Sequence, residues 1–222
     1  TPLWYSSYLQ TYLERDVRTQ LGVTDLRDFE QLMRLLAART SQVLNYTALA
    51  GPLGVSVPTV KRWVSVLEAS YLVHLLPPYF ENFGKRILKA PKIYFLDVGL
   101  VSFLLGLDEA SAALNGPMAG ALFETAVVSE ILKDRYARGV KPEAYYWRSQ
   151  SGIEVDLVLP DGALLSPCEI KLASRVKAEH AHNVRYWLGL AGRKSGPATL
   201  ITNSHEAVPV GERVSNIHWS TL

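Results

Sequence analysis

Four charged side chains stand on two stretches that otherwise carry mostly apolar residues, within SGIEVDLVLPDGALLSPCEIKL at residues 151–172. Glu154 and Asp156 come from the first stretch, and Glu169 and Lys171 come from the second. Paired carboxylates can bind a divalent cation, and a nearby ammonium can orient a water or stabilise charge on a phosphate. These residue types are therefore compatible with a metal site that acts on a phosphate.

The two stretches are predicted to be the strands of one β-hairpin, because Asp161-Gly162 is a strong signal for a two-residue turn. With those two residues as the loop, three pairs are expected to face each other: Leu159 with Leu164, Glu154 with Glu169, and Asp156 with Pro167. Side chains alternate between the faces of a strand, so the three acids and Lys171 share one face. Asp156 and Glu169 become diagonal neighbours about 7 to 8 Å apart at the backbone.

Carboxylates this close repel each other, and one tends to take up a proton unless a cation relieves the conflict. Hard oxygen ligands suit Mg²⁺ or Mn²⁺, so Asp156 and Glu169 are the predicted metal ligands. Glu124 lies on or beside the apolar stripe of a preceding helix, where an unpaired charge is costly, and is a candidate further ligand. Alternation of apolar and charged residues is also typical of an ordinary half-exposed hairpin with surface ion pairs, so both interpretations stay open.

The elements that must position these side chains follow the order α-β-β-β-α-β. The predicted elements are a helix at about 118–135, strands at 144–148, 153–159 and 163–172, a helix at about 176–190, the strand ATLIT and a last short strand at NIHWS. An Ala-, Gly- and Asp-rich stretch at 106–120 indicates a linker, so the second domain is expected to cover 115–222.

The first half is predicted to be helical, with helices at 4–20, after Asp25 or Asp28, at about 47–53, and after the N-cap Ser56. Two short helices joined by a turn at Gly54 are typical of a helix-turn-helix. The strand-like segments YLVHLLPPYF and KIYFLD follow, separated by the basic loop ENFGKRILKAP, which has the character of a wing. A winged-helix domain is therefore expected over 25–108.

A nucleic-acid face is predicted on this domain. The net charge is only +2, but residues 58–92 hold Lys61, Arg62, Lys85, Arg86, Lys89 and Lys92 against two acids. The predicted contacts are Thr59, Lys61, Arg62 and Ser65 on the second helix, with Lys85 and Arg86, near Asn82, on the wing. Helix-turn-helix geometry also serves as a packing or protein-docking unit, which remains an alternative.

Composition restricts the classes of protein to which the chain can belong. The chain of 222 residues is 48% hydrophobic and has no apolar run of the roughly 20 residues that a membrane helix needs. The start lacks the pattern of a signal peptide and an initiator Met, so a fragment of a longer chain is expected. Cys168 is the single cysteine, expected to be a small strand hydrophobe, and a reducing, cytoplasmic setting is predicted.

Several stretches of the sequence also resemble known protein families. Asp156, Glu169-Ile-Lys171 and Glu124, in this order of elements, resemble the PD-(D/E)XK nuclease signature. The blocks TYLERDV, VPTVKRWVSVLEASYLVHLLPPY, KAPKIYFLDVGLVSFLLG, GALFETAVVSEI, YYWRSQSGIEVDLV and CEIK make nearly the whole chain similar to the C-terminal region of a family of prokaryotic AAA-type ATPases.

The resemblance implies a restriction-endonuclease-like αβββαβ domain after the winged helix, an α+β or α/β chain overall, and a helix at 1–24 that links to an absent ATPase domain. It implies metal roles for Asp156 and Glu169, a catalytic role for Lys171 and a supporting role for Glu124. Val155 replaces the signature's proline, and no G-x-x-x-x-G-K-[ST] occurs, so no ATP site is expected here.

Two functions are compatible with this resemblance: a Mg²⁺-dependent nuclease, or a non-catalytic module that binds DNA or protein and retains an inactive nuclease fold. The expected partners are DNA and the chain's own ATPase domain, with no membrane. The sequence leaves the oligomeric state open, a homo-oligomer included.

Overall fold

The computed structural model describes residues 2–20, 25–80, 90–139, 142–206, 208 and 210–222. These residues form a mixed α+β structure with two β-sheets. The wing candidates Asn82, Lys85 and Arg86 lie outside the described residues. None of the helices within these ranges has both the length and the apolar content that crossing a membrane requires.

The chain folds into two compact units. The first comprises Thr1–Leu75 and Ile93–Thr125, and the second comprises Leu76–Lys92 and Ala126–Leu222. The chain therefore leaves the first unit, returns to it at Ile93, and leaves it again after Thr125. The predicted helix-turn-helix belongs to the first unit, and the hairpin with the acids belongs to the second.

The first unit is helical, and all of its helices except the last bury apolar side chains. They are α1 (Pro2–Thr11), a π-helix (Tyr12–Gln20), α2 (Leu26–Ala37), α3 (Tyr46–Leu53), α4 (Val57–Ala69), α5 (Val98–Leu104) and α6 (Ala110–Asn115). Val60, Trp63, Val64 and Leu67 of α4 are at most 2% exposed and join one hydrophobic core with Phe29 of α2. Helix α6 lies inside the predicted linker, where the run of alanines favours helix.

The turn between α3 and α4 follows the predicted signals. Gly54 ends α3 with a φ of 65°, a left-handed conformation that suits glycine. Ser56 caps α4, and its hydroxyl accepts a hydrogen bond from the N–H of Thr59 at 3.2 Å. After α4 come β1 (Val73–Leu76) and β2 (Lys92–Phe95), which form a two-stranded sheet. These predicted helices, caps and strands are confirmed.

The second unit is built around a five-stranded sheet. Its elements are β3 (Tyr145–Arg148), β4 (Glu154–Asp161), β5 (Leu164–Lys171), α8 (His182–Ala191), β6 (Ala198–Thr202) and β7 (Val214–His218), preceded by α7 (Ala119–Ala137), which spans the division at Thr125. The sheet order is β3-β4-β5-β6-β7, antiparallel between the first three strands and parallel between the last three. The predicted element order is confirmed, with β7 as the last strand.

One helix covers the core of this unit. Val184, Trp187 and Leu188 of α8 are buried in a cluster with Val155 and Val158 of β4. Because α8 connects the parallel strands β5 and β6, it supplies the crossover that a parallel pair requires. Helix α8 thus packs against β4 and connects β5 to β6, beside the candidate site.

The hairpin register differs from the predicted one. The loop is Gly162-Ala163, Asp161 pairs with Leu164, Leu159 pairs with Ser166, and Val158 pairs with Pro167. The predicted pairs Leu159 with Leu164, Glu154 with Glu169 and Asp156 with Pro167 are therefore wrong. Gly162 has a φ of 59° at the first loop position, where a type II′ turn favours glycine, so Asp161 stays in the strand.

The difference in register leaves every side chain on its predicted face of the sheet. Pairing moves by two residues, an even number, so each side chain keeps its side of the sheet. Continuing the observed register by one step from Leu157 and Cys168 brings Asp156 opposite Glu169. The two acids are thus neighbours on adjacent strands, next to the pair of Leu157 and Cys168, and the N–H of Ile170 reaches the Asp156 carboxylate.

Cys168 lies beside this pair as a core residue. It is 5% exposed, and burial, followed by the charge of Asp156, raises the pKa of its thiol to about 12. The structure confirms the prediction that Cys168 is a buried strand residue.

Candidate functional site

A pair of buried carboxylates forms the centre of the site. Asp156 is 6% exposed and Glu169 is 1% exposed, and they are hereafter called the carboxylate pair. The backbone N–H of Ile170 donates to Oδ2 of Asp156 at 2.9 Å, which fixes the Asp156 carboxylate against β5. Asp156 and Leu157 together oppose the single residue Tyr146 of β3, a β-bulge of the kind that often stands beside functional sites.

The two carboxylate oxygens of Glu169 differ: one has partners and the other has no hydrogen-bond partner among the described residues. Its Oε1 lies 2.8 Å from Nζ of Lys171 and accepts a hydrogen bond from Nδ2 of Asn183 at 3.2 Å. Its Oε2 is buried and has no hydrogen-bond partner within the described part of the chain. Burial first, and then the charge of Asp156, raises the pKa of Glu169 from 4.5 to about 8, while Lys171 and Asn183 offset part of that rise. Repulsion from Asp156, which the sequence predicts, is thus one cause of the raised pKa of Glu169.

A second ammonium, which the sequence argument did not place here, reaches the same face. Nζ of Lys92 lies 2.5 Å from Oε1 of Glu154 and 3.9 Å from Oδ1 of Asp156. The Lys92 side chain is 4% exposed and lies over the ring of Tyr146, 5.8 Å from its centre. Arg148 also contacts Glu154, at 3.4 Å. The apolar run that follows Lys92 in KIYFLD was the available signal, because a lysine at the start of a buried strand needs a partner.

Glu124 has a different environment. It lies in the first unit on α7, half-buried, where the hydroxyl of Tyr94 donates to Oε1 of Glu124 at 2.6 Å. The structure thus brings Asp156, Glu169 and Lys171 together within the second unit and gives Glu124 a tyrosine partner in the first.

The carboxylate pair fits a hard divalent cation chemically. Oε2 of Glu169 is a buried oxygen that still lacks a partner among the described residues, and Asp156 presents a second carboxylate across the strands. Two carboxylates with retained waters are an ordinary way to bind Mg²⁺. Across the ranges that the structure describes, no three His, Cys, Asp or Glu side chains form a group able to hold a metal. Waters or substrate oxygens would have to complete the coordination.

The candidate nucleic-acid residues of α4 lie on one accessible side of the helix, hereafter called the α4 face. Lys61, Arg62 and Ser65 are exposed and Thr59 is half-buried. Thr59 shares a hydrogen bond with Ser56 at 2.8 Å, so its hydroxyl already serves the cap. Nζ of Lys61 lies 5.5 Å from the centre of the Tyr46 ring. The α4 face therefore presents two cations to solvent, while Lys85 and Arg86 fall outside the described residues.

Two family matches divide the chain. Residues 1–111 match the family described as a domain of unknown function, DUF8612, and residues 119–222 match a second domain of unknown function, DUF4143. The DUF4143 domain is commonly found at the C-terminus of AAA-type ATPases.

Two curated relatives come from mycobacteria. They are the uncharacterized protein Mb2031c of Mycobacterium bovis and the uncharacterized protein Rv2008c of Mycobacterium tuberculosis. Each is 36% identical over 156 residues, which is 69% of this chain and 34% of the relative. The chain therefore spans about a third of the length of these relatives.

Proposed function

The chain belongs to the DUF8612 family, and from this premise we propose that it is the DNA-handling C-terminal region of an AAA-type ATPase. In this proposal the second unit is a restriction-endonuclease-like domain that hydrolyses phosphodiesters with Mg²⁺ or Mn²⁺. The first unit is a winged helix that holds the DNA. The ATPase domain would belong to the part of the full-length protein beyond this chain, which would act in the cytoplasm.

One observation carries the nuclease proposal. Oε2 of Glu169 is buried without a hydrogen-bond partner among the described residues, while Oε1 is held by Lys171 and Asn183. A buried polar atom without a partner costs free energy, and such an atom calls for an explanation such as a missing ligand. A cation shared by Asp156 and Glu169 supplies that ligand and removes the repulsion between the two acids.

Each side chain has a distinct task in this mechanism. Asp156 and Glu169 would hold the cation, and Ile170 N–H and Asn183 keep the two carboxylates oriented. Bound Mg²⁺ would lower the pKa of a water and stabilise negative charge on a phosphate. Lys171 is 41% exposed at its side chain, so it can reach a phosphate from the solvent side while it contacts Glu169. Its ammonium stabilises the charge that develops as the phosphodiester is attacked.

The α4 face supports the DNA-binding part of the proposal. Lys61 and Arg62 are exposed on the second helix of a helix-turn-helix, the helix that enters the major groove in such folds. Contacts of cations with phosphates supply affinity and register, independent of sequence. The predicted wing contacts of Lys85 and Arg86 remain part of the same proposal.

The test is DNA cleavage in the presence of Mg²⁺ or Mn²⁺ by the whole 222-residue chain. Plasmid and single-stranded substrates are incubated with wild-type protein, Asp156→Ala and Lys171→Ala, and with Lys133→Ala as a matched control. Lys133 contacts Glu130 at 2.8 Å on the surface of α7, so its loss removes a lysine–glutamate pair away from the carboxylate pair. Cleavage that needs the metal, survives in Lys133→Ala and disappears in both site variants is expected.

The contact of Lys92 with Asp156 favours a second function, a binding module without catalysis. Its ammonium already contacts Asp156, and a proton on Glu169 relieves the remaining repulsion, since the pKa of Glu169 is about 8. The carboxylate pair can therefore persist without a metal, as in a binding module that has lost catalysis. This alternative predicts DNA or protein binding without turnover, and binding that Lys171→Ala changes only through its charge.

A further inference from the structure

Lys92 is a charged residue in a place that rarely admits one. Lysine is almost never fully buried unless it is paired, and the Lys92 side chain is 4% exposed. The proposed mechanism gives it no task. Its ammonium contacts the carboxylates of Glu154 and Asp156, which lie on the face of β4 that carries the candidate site.

The two contacts are unequal, which indicates how the ammonium is held. The 2.5 Å distance to Glu154 is a direct charge-assisted hydrogen bond, whereas the 3.9 Å distance to Asp156 is an electrostatic contact only. Glu154 is therefore the main acceptor that holds Lys92. The contact with Asp156 is made through Oδ1, while Oδ2 receives the N–H of Ile170. Oδ1 is thus the Asp156 oxygen that lies nearer to the ammonium of Lys92.

We propose that Lys92 is a built-in counter-ion that limits divalent-cation binding at the carboxylate pair, with Glu154 holding its ammonium away from Asp156. This inference rests on the proposed metal site and adds a means of regulating it. The ammonium weakens metal binding at Asp156 from its position 3.9 Å away, and Glu154 sets that distance by holding it. Lys92 is in this sense a regulating residue that acts through Asp156.

The physical basis is repulsion between like charges at short range. An ammonium 3.9 Å from a ligand oxygen opposes a second positive charge on that oxygen, and the effect is strong where water is largely excluded. Removing the ammonium should therefore strengthen metal binding. Removing Glu154 should weaken it, because the negative charge that holds and offsets the ammonium of Lys92 is lost. A lysine that only supported the fold would not strengthen metal binding when it is removed.

The test measures binding of Mn²⁺ alone, without DNA, by isothermal titration calorimetry and by the electron paramagnetic resonance signal of free Mn²⁺. The proteins are the wild type, Lys92→Met, Glu154→Gln and the double variant Lys92→Met/Glu154→Gln, with Asp156→Asn as the control that removes a ligand. The matched control Lys133→Met removes a positive charge from an exposed lysine–glutamate pair. Circular dichroism and thermal unfolding establish that each protein is folded before titration.

The expected result is a Kd for Mn²⁺ that falls about tenfold or more in Lys92→Met and rises in Glu154→Gln. Lys133→Met should match the wild type, and Asp156→Asn should lose binding. If Lys92→Met does not fold, the double variant takes its place, because it removes both partners of the buried pair and should also bind more tightly than the wild type.

Each outcome separates this inference from the proposed nuclease function. If the wild type binds Mn²⁺ and Lys92→Met leaves the affinity unchanged or lowers it, the regulating role is overturned and the metal site still stands. Binding that appears only after Lys92→Met supports the inference and contradicts a nuclease that is active as it stands. An absence of binding in every folded variant overturns both.

Discussion

Replacing Glu169 with glutamine removes a carboxylic acid whose ionisation the fold opposes. Glutamine keeps the size of the side chain and an acceptor oxygen for Asn183, which donates to Oε1 at 3.2 Å. It cannot ionise, so any part of the protein's stability that depends on the titration of Glu169 disappears. Free energies of unfolding measured over a range of pH values in metal-free buffer therefore report directly on the carboxylate pair.

The size of this pH-dependent part of the free energy of unfolding follows from the pKa of Glu169, which rises from 4.5 to about 8 on folding. Each pKa unit is worth about 1.36 kcal/mol, so full ionisation costs about 5 kcal/mol relative to a glutamate with an ordinary pKa. Because the folded state holds the proton more tightly, this contribution is fully present below pH 4.5 and is lost as the pH rises to about 8. Wild-type stability should thus fall with pH by about 5 kcal/mol more than that of Glu169→Gln over this window.

Urea unfolding of the wild type and of Glu169→Gln from pH 4.5 to 8.5, with EDTA present, provides the measurement. Glu179→Gln is the control, since Glu179 is 71% exposed at its side chain and contacts Lys177 at 3.4 Å. The difference between wild type and Glu169→Gln should grow with pH, whereas the difference between wild type and Glu179→Gln should stay flat. Parallel curves for wild type and Glu169→Gln would show that Glu169 ionises normally and would remove the basis for a repelling carboxylate pair.

Three further perturbations test other parts of the structure. Lys171→Met removes the ammonium 2.8 Å from Glu169, so the pKa of Glu169 should rise further; a ¹³C NMR titration of the glutamate carboxyls measures it, and an unchanged pKa would contradict the contact. Ser56→Ala removes the acceptor for the N–H of Thr59 and should lower the free energy of unfolding by about 1 kcal/mol in urea denaturation; no loss would mean that the cap is not formed in solution. Arg62→Ala on the α4 face should weaken DNA binding about equally for all sequences and reduce the slope of log affinity against log salt by about 1, as fluorescence anisotropy measures; unchanged affinity would exclude this face as a phosphate contact.

Much of the fold could be predicted because local signals agree with one another. On α4 the cap Ser56, the turn at Gly54 and the buried stripe that includes Trp63 all specify the same helix, and each is found in the structure. The common face of Asp156 and Glu169 was also predictable. When a two-residue loop moves by one position along the chain, the pairing of the strands moves by two residues, so each side chain keeps its face of the sheet.

The remaining part of the site depends on contacts between distant segments of the chain. The exact register follows from which loop residue adopts a positive φ, and both Asp161 and Gly162 are acceptable turn residues by type alone. Lys92 lies far from Asp156 along the chain, so no periodicity or spacing links them. Its arrival at the carboxylates is a tertiary contact, and its charge changes the chemistry that the acids alone would suggest.

The burial of Cys168 has a practical consequence. A thiol that is 5% exposed and has a pKa of about 12 is almost entirely uncharged at neutral pH, and only thiolates react rapidly with maleimides and iodoacetamides. Because the chain has a single cysteine, the natural sequence already behaves as an unreactive background for thiol labelling. Cysteines introduced at exposed positions of each unit could carry fluorophores or spin labels with no prior substitution, so that distances between the two units can be followed while DNA or Mn²⁺ is added.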